Sequence, residues 1–198
     1  DNNIVKDSNG QAIYQNMGSY YNGTSGCKPA AVTSGTDFTC TSIDFTSTGL
    51  KNDSTRNAIE SVVWNLGGTA SYTSASNGLA SHFYGYERGS TVYSGHATTW
   101  TGKIGLMYPS DYGYATSGGS TTDRATCLAK EMYNWDGSGV SDCKNNDYLC
   151  KSSYFQWTLA SDSSTYYYAF GVHSSGYVSN LSSVNGTLAV RPVAFLKS

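Results

Sequence analysis

From residue 154 to the C-terminus the chain alternates short apolar runs with turn signals, and this rhythm restricts its fold more than any other feature. The runs 154–159, 166–172, 177–181 and 189–196 read as strands. Ser174-Ser175-Gly176 and Asn185-Gly186 lie between them as hairpin signals, because glycine in a tight turn accepts the positive φ that reverses a strand. Upstream the period changes. Ala58, Ile59, Val62, Val63 and Leu66 recur at helical spacing behind the cap candidates Asn52-Asp53-Ser54-Thr55, and Gly67-Gly68 would end that helix. Thr122-Asp123 would cap a second, shorter helix carrying Cys127, Leu128 and Met132, closed by the turn Asp136-Gly137-Ser138-Gly139. Residues 100–108 read as a strand that Pro109 stops, with a Tyr/Gly loop over 111–119, and residues 69–99 read as irregular. Helices early and strands late give an α+β fold, two helices packed on antiparallel sheets with a strand-rich C-terminal half.

The 198 residues fit one domain, with 1–50 as an N-terminal extension of short strands and loops and 51–198 as the core. Ala12-Ile13-Tyr14 and Ile43-Asp44-Phe45 are the strand candidates of the extension. Charged residues make up 13% of the chain and aromatic residues 14%, the reverse of a disordered composition, so the chain is globular and loop-rich. A net charge of −2 with scattered Lys and Arg cannot neutralise a phosphate backbone, which argues against a nucleic-acid partner. The sequence contains no apolar run long enough to span a membrane. It opens at Asp1 without a signal-like segment, as a processed mature chain or a trimmed piece would.

Cysteines stand at 27, 40, 127, 143 and 150. Cys27 and Cys40 suit a local loop-closing disulfide, and Cys127 and Cys143 bracket a helix end and a turn. Cys150 is then the odd thiol, with Cys143–Cys150 as an alternative pairing. Two disulfides imply an oxidising compartment and hence export; the opposite reading is five reduced, buried thiols acting as small hydrophobes. With no CxxC pair, zinc and thioredoxin-type readings are weak.

Catalytic signatures are thin. His82, His96 and His173 stand in no metal-binding spacing, and no nucleophile elbow, phosphate loop or dinucleotide motif occurs. Asp136, Ser138, Asp142 and Asp147 loosely echo a calcium loop, but its sixth position lacks Gly and Val140 stands where an oxygen ligand belongs; a solvated turn is the better reading. The expectation is a chain that is not an enzyme and uses no cofactor and no metal.

The tail has its own chemistry. From 161 to 190 there is no Lys, Glu, Gln, Met or Trp, although all five occur elsewhere. Tyr, Ser, Gly and Asn between two strand-like anchors is a composition suited to recognition, since Tyr offers large amphipathic contact at low entropic cost. Side chains alternate faces along a strand. Phe170, Val172 and Val178 share an inward parity, which leaves Tyr167, Ala169, Gly171, His173, Ser175, Tyr177, Ser179 and Leu181 as an outward row. An ordinary solvated sheet face is the plainer reading. Exposed Tyr-rich rows invite association, however, and a binding surface would have them exposed and contiguous.

Gln156-Trp157-Thr158-Leu159 and Val190-Arg191-Pro192-Val193, with the variable-looking stretch between them, resemble the C-terminal part of C-type-lectin-like domains. The subtype is the one shared by formylglycine-generating-enzyme-like proteins and by the variable proteins of diversity-generating retroelements. Lys103-Ile104-Gly105-Leu106-Met107-Tyr108-Pro109-Ser110-Asp111-Tyr112-Gly113-Tyr114-Ala115 is similar to the corresponding stretch of gut-bacterial surface proteins with such domains. So are Arg124-Ala125-Thr126-Cys127-Leu128 and Tyr133-Asn134-Trp135-Asp136, and the resemblance covers about 50 to 198. Retroelement diversification acts on adenine-rich Asn codons ending in a pyrimidine, which cannot become Lys, Glu, Gln, Met or Trp; the resemblance thus implies the very absence seen in the tail. The calcium motifs of sugar-binding animal lectins and the cysteine site of the enzyme branch are both missing, so neither activity is implied.

The resemblance implies an exported ligand-binding domain of adhesin or receptor type, extracellular or on a bacterial cell surface, with a pilus or pseudopilus as the display structure. Its ligand would be a protein or a glycan. Tyr167, His173 and Tyr177 are the expected anchors, with Ser175, Ser179, Asn180 and Ser183 as adaptable polar contacts, and Trp157 and a hydrogen-bonded Arg191 as scaffold. The alternative is a structural pilin-like subunit that packs through its Tyr-rich face.

Overall fold

The computed structural model describes residues 53–165, 168–181 and 188–198. The two strand candidates of the extension, the Cys27–Cys40 pairing, the Asn185-Gly186 turn, Tyr167 and Ser183 lie outside them. The chain runs α1 (Asp53–Ala58), β1 (Val62–Asn65), α2 (Ala80–Glu87), β2 (Thr99–Gly102), β3 (Ile104–Leu106), α3 (Pro109–Ala115) and α4 (Arg124–Leu128). A 3₁₀ turn (Met132–Asn134), α5 (Ser141–Asn145), β4 (Gln156–Ser161), β5 (Ala169–Val172), β6 (Val178–Leu181) and β7 (Pro192–Ala194) follow. Among the described residues the strands pair antiparallel as β1-β2, β3-β7 and β4-β5-β6, so helix and sheet mix as expected of an α+β chain. Among the same residues no helix is long and apolar enough to cross a membrane.

The helix expected from the caps at 52–55 up to Gly67 forms only at its start. Only one turn forms, α1, and the chain then extends into β1, which pairs with β2 from Val62↔Gly102 to Asn65↔Thr99. Val62, Val63 and Trp64 are β-branched or aromatic and fit a pleated surface better than a helix. The indole of Trp64 decides the matter: it is 3% exposed, donates to Gly102 O at 2.9 Å and packs against Tyr108 and Phe195. Ile59, also buried, bridges Leu196 instead of lining a helix. Nor is Gly68 a helix terminator. A Cβ there would collide with the carbonyl oxygen of Ser161, so glycine is required where the chain passes close to β4.

Three helices arise where none was expected: α2, α3, and α5 across part of the stretch read as a solvated turn. α2 falls within 69–99; no side chain caps it, it contains the poor helix former Gly85, and one of its three buried residues is the acid Glu87, so it carries no apolar stripe to read. Pro109 opens α3 rather than merely stopping a strand, because the first helical position needs no amide hydrogen. Asp111 completes the start by accepting from Tyr108 N at 2.8 Å. The single strand expected over 100–108 is accordingly two, β2 and β3, and the expected loop over 111–119 begins as helix. α4 matches its reading: Asp123 caps it, accepting from Thr126 N at 2.7 Å. Met132 lies beyond α4, in the 3₁₀ turn.

The core gathers Phe83 of α2, Tyr112 of α3, Met132, Trp135, and Phe170, Val172 and Val178 of the C-terminal strands. Phe83 and Phe170 meet edge to face at 5.1 Å. A disulfide joins Cys127 to Cys143, Cα atoms 5.4 Å apart, as the sequence suggested, and among the described residues Cys150 is a free thiol. Glu87 ends α2 fully buried and receives Ser110 N at 2.8 Å and the Ser110 hydroxyl, which ties α2 to the first turn of α3. Burial raises its carboxyl from 4.5 to about 7 against the pull of these bonds. Asp147, in the segment after α5, is likewise raised from 3.8 to about 7 by burial.

Two outcomes follow from these groups. Replacing Cys127 and Cys143 together by Ala is expected to lower stability in chemical denaturation by about 3 kcal/mol, the entropy of a loop this size, given the 16-residue separation. An acid whose folded pKa lies above its unfolded value ionises first in the unfolded chain, so its stabilising contribution fades as pH rises between the two values. Raising pH from 5 to 7 should therefore cost about 2 kcal/mol through each of Glu87 and Asp147. Glu87→Gln should flatten the pH dependence by its share.

Candidate binding surface

The three-stranded sheet β4-β5-β6 sets the geometry of the tail. Its register aligns Trp157, Gly171 and Ser179 in one row and Gln156, Val172 and Val178 in the next. Residues directly opposite each other on paired strands share a face, and the faces alternate along each strand. Phe170, Val172 and Val178 are all 0% exposed, so the inward parity read from the sequence is the core parity. The outward row is less open than expected. Gly171 and Ser179 are buried, while Ala169, His173, Ser175 and Tyr177 are half-buried. The row is therefore a partly covered surface and not a fully exposed strip; at the end of β6 the backbone of Leu181 pairs with Ala169.

Asn180 has the inward parity of β6, and its amide is already spent. It donates to Asp162 Oδ2 at 2.8 Å and accepts from the Tyr72 hydroxyl. Asp162 is itself buried, with its other oxygen receiving Ser164 N at 2.7 Å. This corrects the reading of Asn180 as an adaptable polar contact: it fastens β6 to the segment before β5.

The turn from β5 to β6 is tightly specified. His173 N donates to Tyr177 O, and Gly176 N to His173 O, both at 2.8 Å. Ser175 N donates to His173 Nδ1 at 2.9 Å, which makes Nδ1 the unprotonated nitrogen of the ring. Gly176 holds φ +88°, and a Cβ there would run into the side chain of Lys144. Its carbonyl receives the Tyr112 hydroxyl from α3 at 2.6 Å. The turn that carries His173, Ser175 and Tyr177 is thus bonded to the core from beneath.

Above it the rings form a continuous row. His173 stacks on Tyr177 with centroids 4.3 Å apart and planes 13° from parallel, and Phe155 meets the same imidazole edge to face at 3.9 Å. Tyr177 contacts Tyr133 at 5.9 Å, and Tyr133 contacts Tyr72 at 5.6 Å. Burial lowers the pKa of His173, with Asp136 opposing, so the imidazole is neutral at neutral pH. Burial chiefly raises the phenol of Tyr177, with Asp136 adding to it. The stacked pair His173 and Tyr177 thus lies beside one carboxylate, that of Asp136.

Sequence reading found His173 and Tyr177 and missed Phe155, Tyr133 and Tyr72. Phe155 stands directly before the Gln156-Trp157-Thr158-Leu159 strand, and that adjacency was its available signal. Tyr133 belonged to a recognised motif that carries no hint of its neighbours, and Tyr72 joins only through tertiary packing. The two residues read as scaffold have these contacts. Arg191 is half-buried, with Nε donating to Gln156 Oε1 at 3.3 Å and a terminal nitrogen to Leu149 O at 3.2 Å. Trp157 donates its backbone amide to Ala189 O at 2.9 Å, which draws the closing segment onto β4.

The remaining candidates do not converge. His82 is half-buried, its Nδ1 without a partner among the described residues, and His96 is exposed beside Tyr93. Asp142 spends its carboxylate on Thr121 and Thr122, whose hydrogen bonds hold its pKa down. Among the described residues no group of three or more His, Cys, Asp or Glu could hold a metal ion. Comparison of the chain with protein-family models, with curated proteins and with solved structures found no match.

Tyr112→Phe removes the bond under the hairpin and leaves a buried carbonyl unpaired. It is expected to cost 1–3 kcal/mol in thermal or chemical unfolding. The ring-current shift of the His173 Hε1 proton, read by NMR, should move toward its random-coil position as the turn loosens.

Proposed function

We propose that the chain is a ligand-binding domain of C-type-lectin-like type, displayed on a bacterial cell surface, whose C-terminal hairpin face recognises a protein or glycan. The observation that carries this reading is the row Phe155, His173, Tyr177, Tyr133 and Tyr72, held over a turn bonded to the core. Pre-organised rings lose little entropy on contact, and aromatic anchors dominate binding energy at interfaces. The mechanism is non-covalent recognition with no chemical step. The restricted residue types between 161 and 190 support a further element of the reading, that the outward positions are diversified at the DNA level on a fixed inward scaffold.

Labelled domain applied to arrays of bacterial surface proteins and glycans should give a small set of binders. His173→Ala with Tyr177→Ala should weaken each by tenfold or more, since anchor residues are worth about 2 kcal/mol. Near-UV circular dichroism reports whether the core survives the change. Binding untouched by the double variant, or assembly into filaments through the same row, would overturn the reading.

A further inference from the structure

A concave surface lies elsewhere on the molecule and shares no residue with the aromatic row. It is a groove of about 710 Å³ between β7, the start of α3 and the segment after α5, within the size range of small-ligand sites. Tyr114, Tyr148 and Phe195 line it, and they are 41%, 78% and 52% exposed. Large apolar rings left in water around one concavity are costly unless something covers them. Arg88 and Arg191 line the same groove, as does Asp111.

Both arginines are fixed in place and only partly used. The Arg88 guanidinium lies 3.6 Å over the Tyr84 ring, with one terminal nitrogen donating to Tyr84 O at 3.3 Å and Glu87 Oε2 at 3.2 Å. Its Nε and second terminal nitrogen have no hydrogen-bond partner among the described residues. Arg191 commits Nε and one terminal nitrogen to Gln156 and Leu149, which leaves its other terminal nitrogen open among those residues. Burial holds Glu87 and Asp147, the acids beside these arginines, up near 7, so neither fully neutralises its neighbour. One carboxylate oxygen of Asp111 caps α3 by accepting from Tyr108 N, and the other has no donor among the described residues.

We propose that this groove binds an acidic saccharide, a sugar ring bearing a carboxylate or a sulfate. The guanidiniums supply planar donors for the acidic group. The free oxygen of Asp111 accepts a ring hydroxyl, and the exposed Tyr and Phe rings cover the apolar face of the sugar. An acidic peptide fits less well, because Asp111 would oppose its carboxylates without a hydroxyl to accept.

The test is titration of the whole chain with glucuronate, sulfated glucose, glucose and a tri-glutamate peptide, followed by NMR chemical shifts. Saturable binding of either acidic sugar supports the proposal, and the preferred one identifies the acidic group. Tyr148→Ala, at a side chain mostly in water, and Arg88→Gln should each weaken that sugar about tenfold, the loss of one charge-assisted or stacking contact. Tyr177→Ala, on the other surface, should leave it unchanged, so the groove and the aromatic row succeed or fail separately. Glucose binding as tightly as the acidic sugars would overturn the proposal. So would tighter binding of the peptide, affinity untouched by both groove variants, or no saturable response.

Discussion

Tyr112 is the interaction on which the arrangement turns. Its ring is fully buried against Trp135, and its hydroxyl reaches Gly176 O at 2.6 Å in the hairpin between β5 and β6. Burial drives its pKa far upward, so the phenol is a permanent donor. Tyr112 is itself positioned by α3, whose first turn is bound by Glu87 at the end of α2. A line of contacts thus runs from a buried acid through one helix to the turn that carries His173 and Tyr177. Each link is a buried polar group with a partner, the condition under which such groups specify one arrangement.

Glu87 shows what this specification costs. A carboxyl with no exposure to water would favour a neutral form, yet its two oxygens are where the helices are joined. The fold accepts a pH-sensitive junction in return for a fixed angle between α2 and α3. Loss of the bonds from Ser110 would take from the buried Glu87 Oε1 the donor that Ser110 N supplies and leave only Arg88 on Oε2, a larger penalty than the bonds' own net worth.

The C-terminal half was legible in the sequence because strand alternation and turn chemistry are local. Phe170, Val172 and Val178 announced the core face by parity, and Ser174-Ser175-Gly176 announced the turn. The first helix was misread for the same local reason. Ala58, Ile59, Val62 and Val63 have helical spacing, but what holds β1 extended is Trp64 against Tyr108 and Phe195, residues far along the chain. α2 was invisible because its inner face includes Glu87, an acid that only Ser110 and Arg88 make acceptable. The candidate surface was half legible. His173 and Tyr177 share a short stretch, whereas Tyr72 and Tyr133 reach them across the fold. Asn180 was misjudged because its amide looks free until Tyr72 and Asp162 are brought beside it.

The alternation of β5 and β6 has a consequence for how the tail tolerates change. Folding instructions there occupy the inward letters, with Phe170, Val172 and Val178 carrying the packing and Asn180 the lock. The outward letters at 169, 173, 175 and 177 are half-covered and mostly outside that text. Gly176 is the exception, a single position in the turn where space and backbone angle both forbid a side chain. A segment built this way can hold many surface messages in one frame, with the grammar stored on the strokes that face inward.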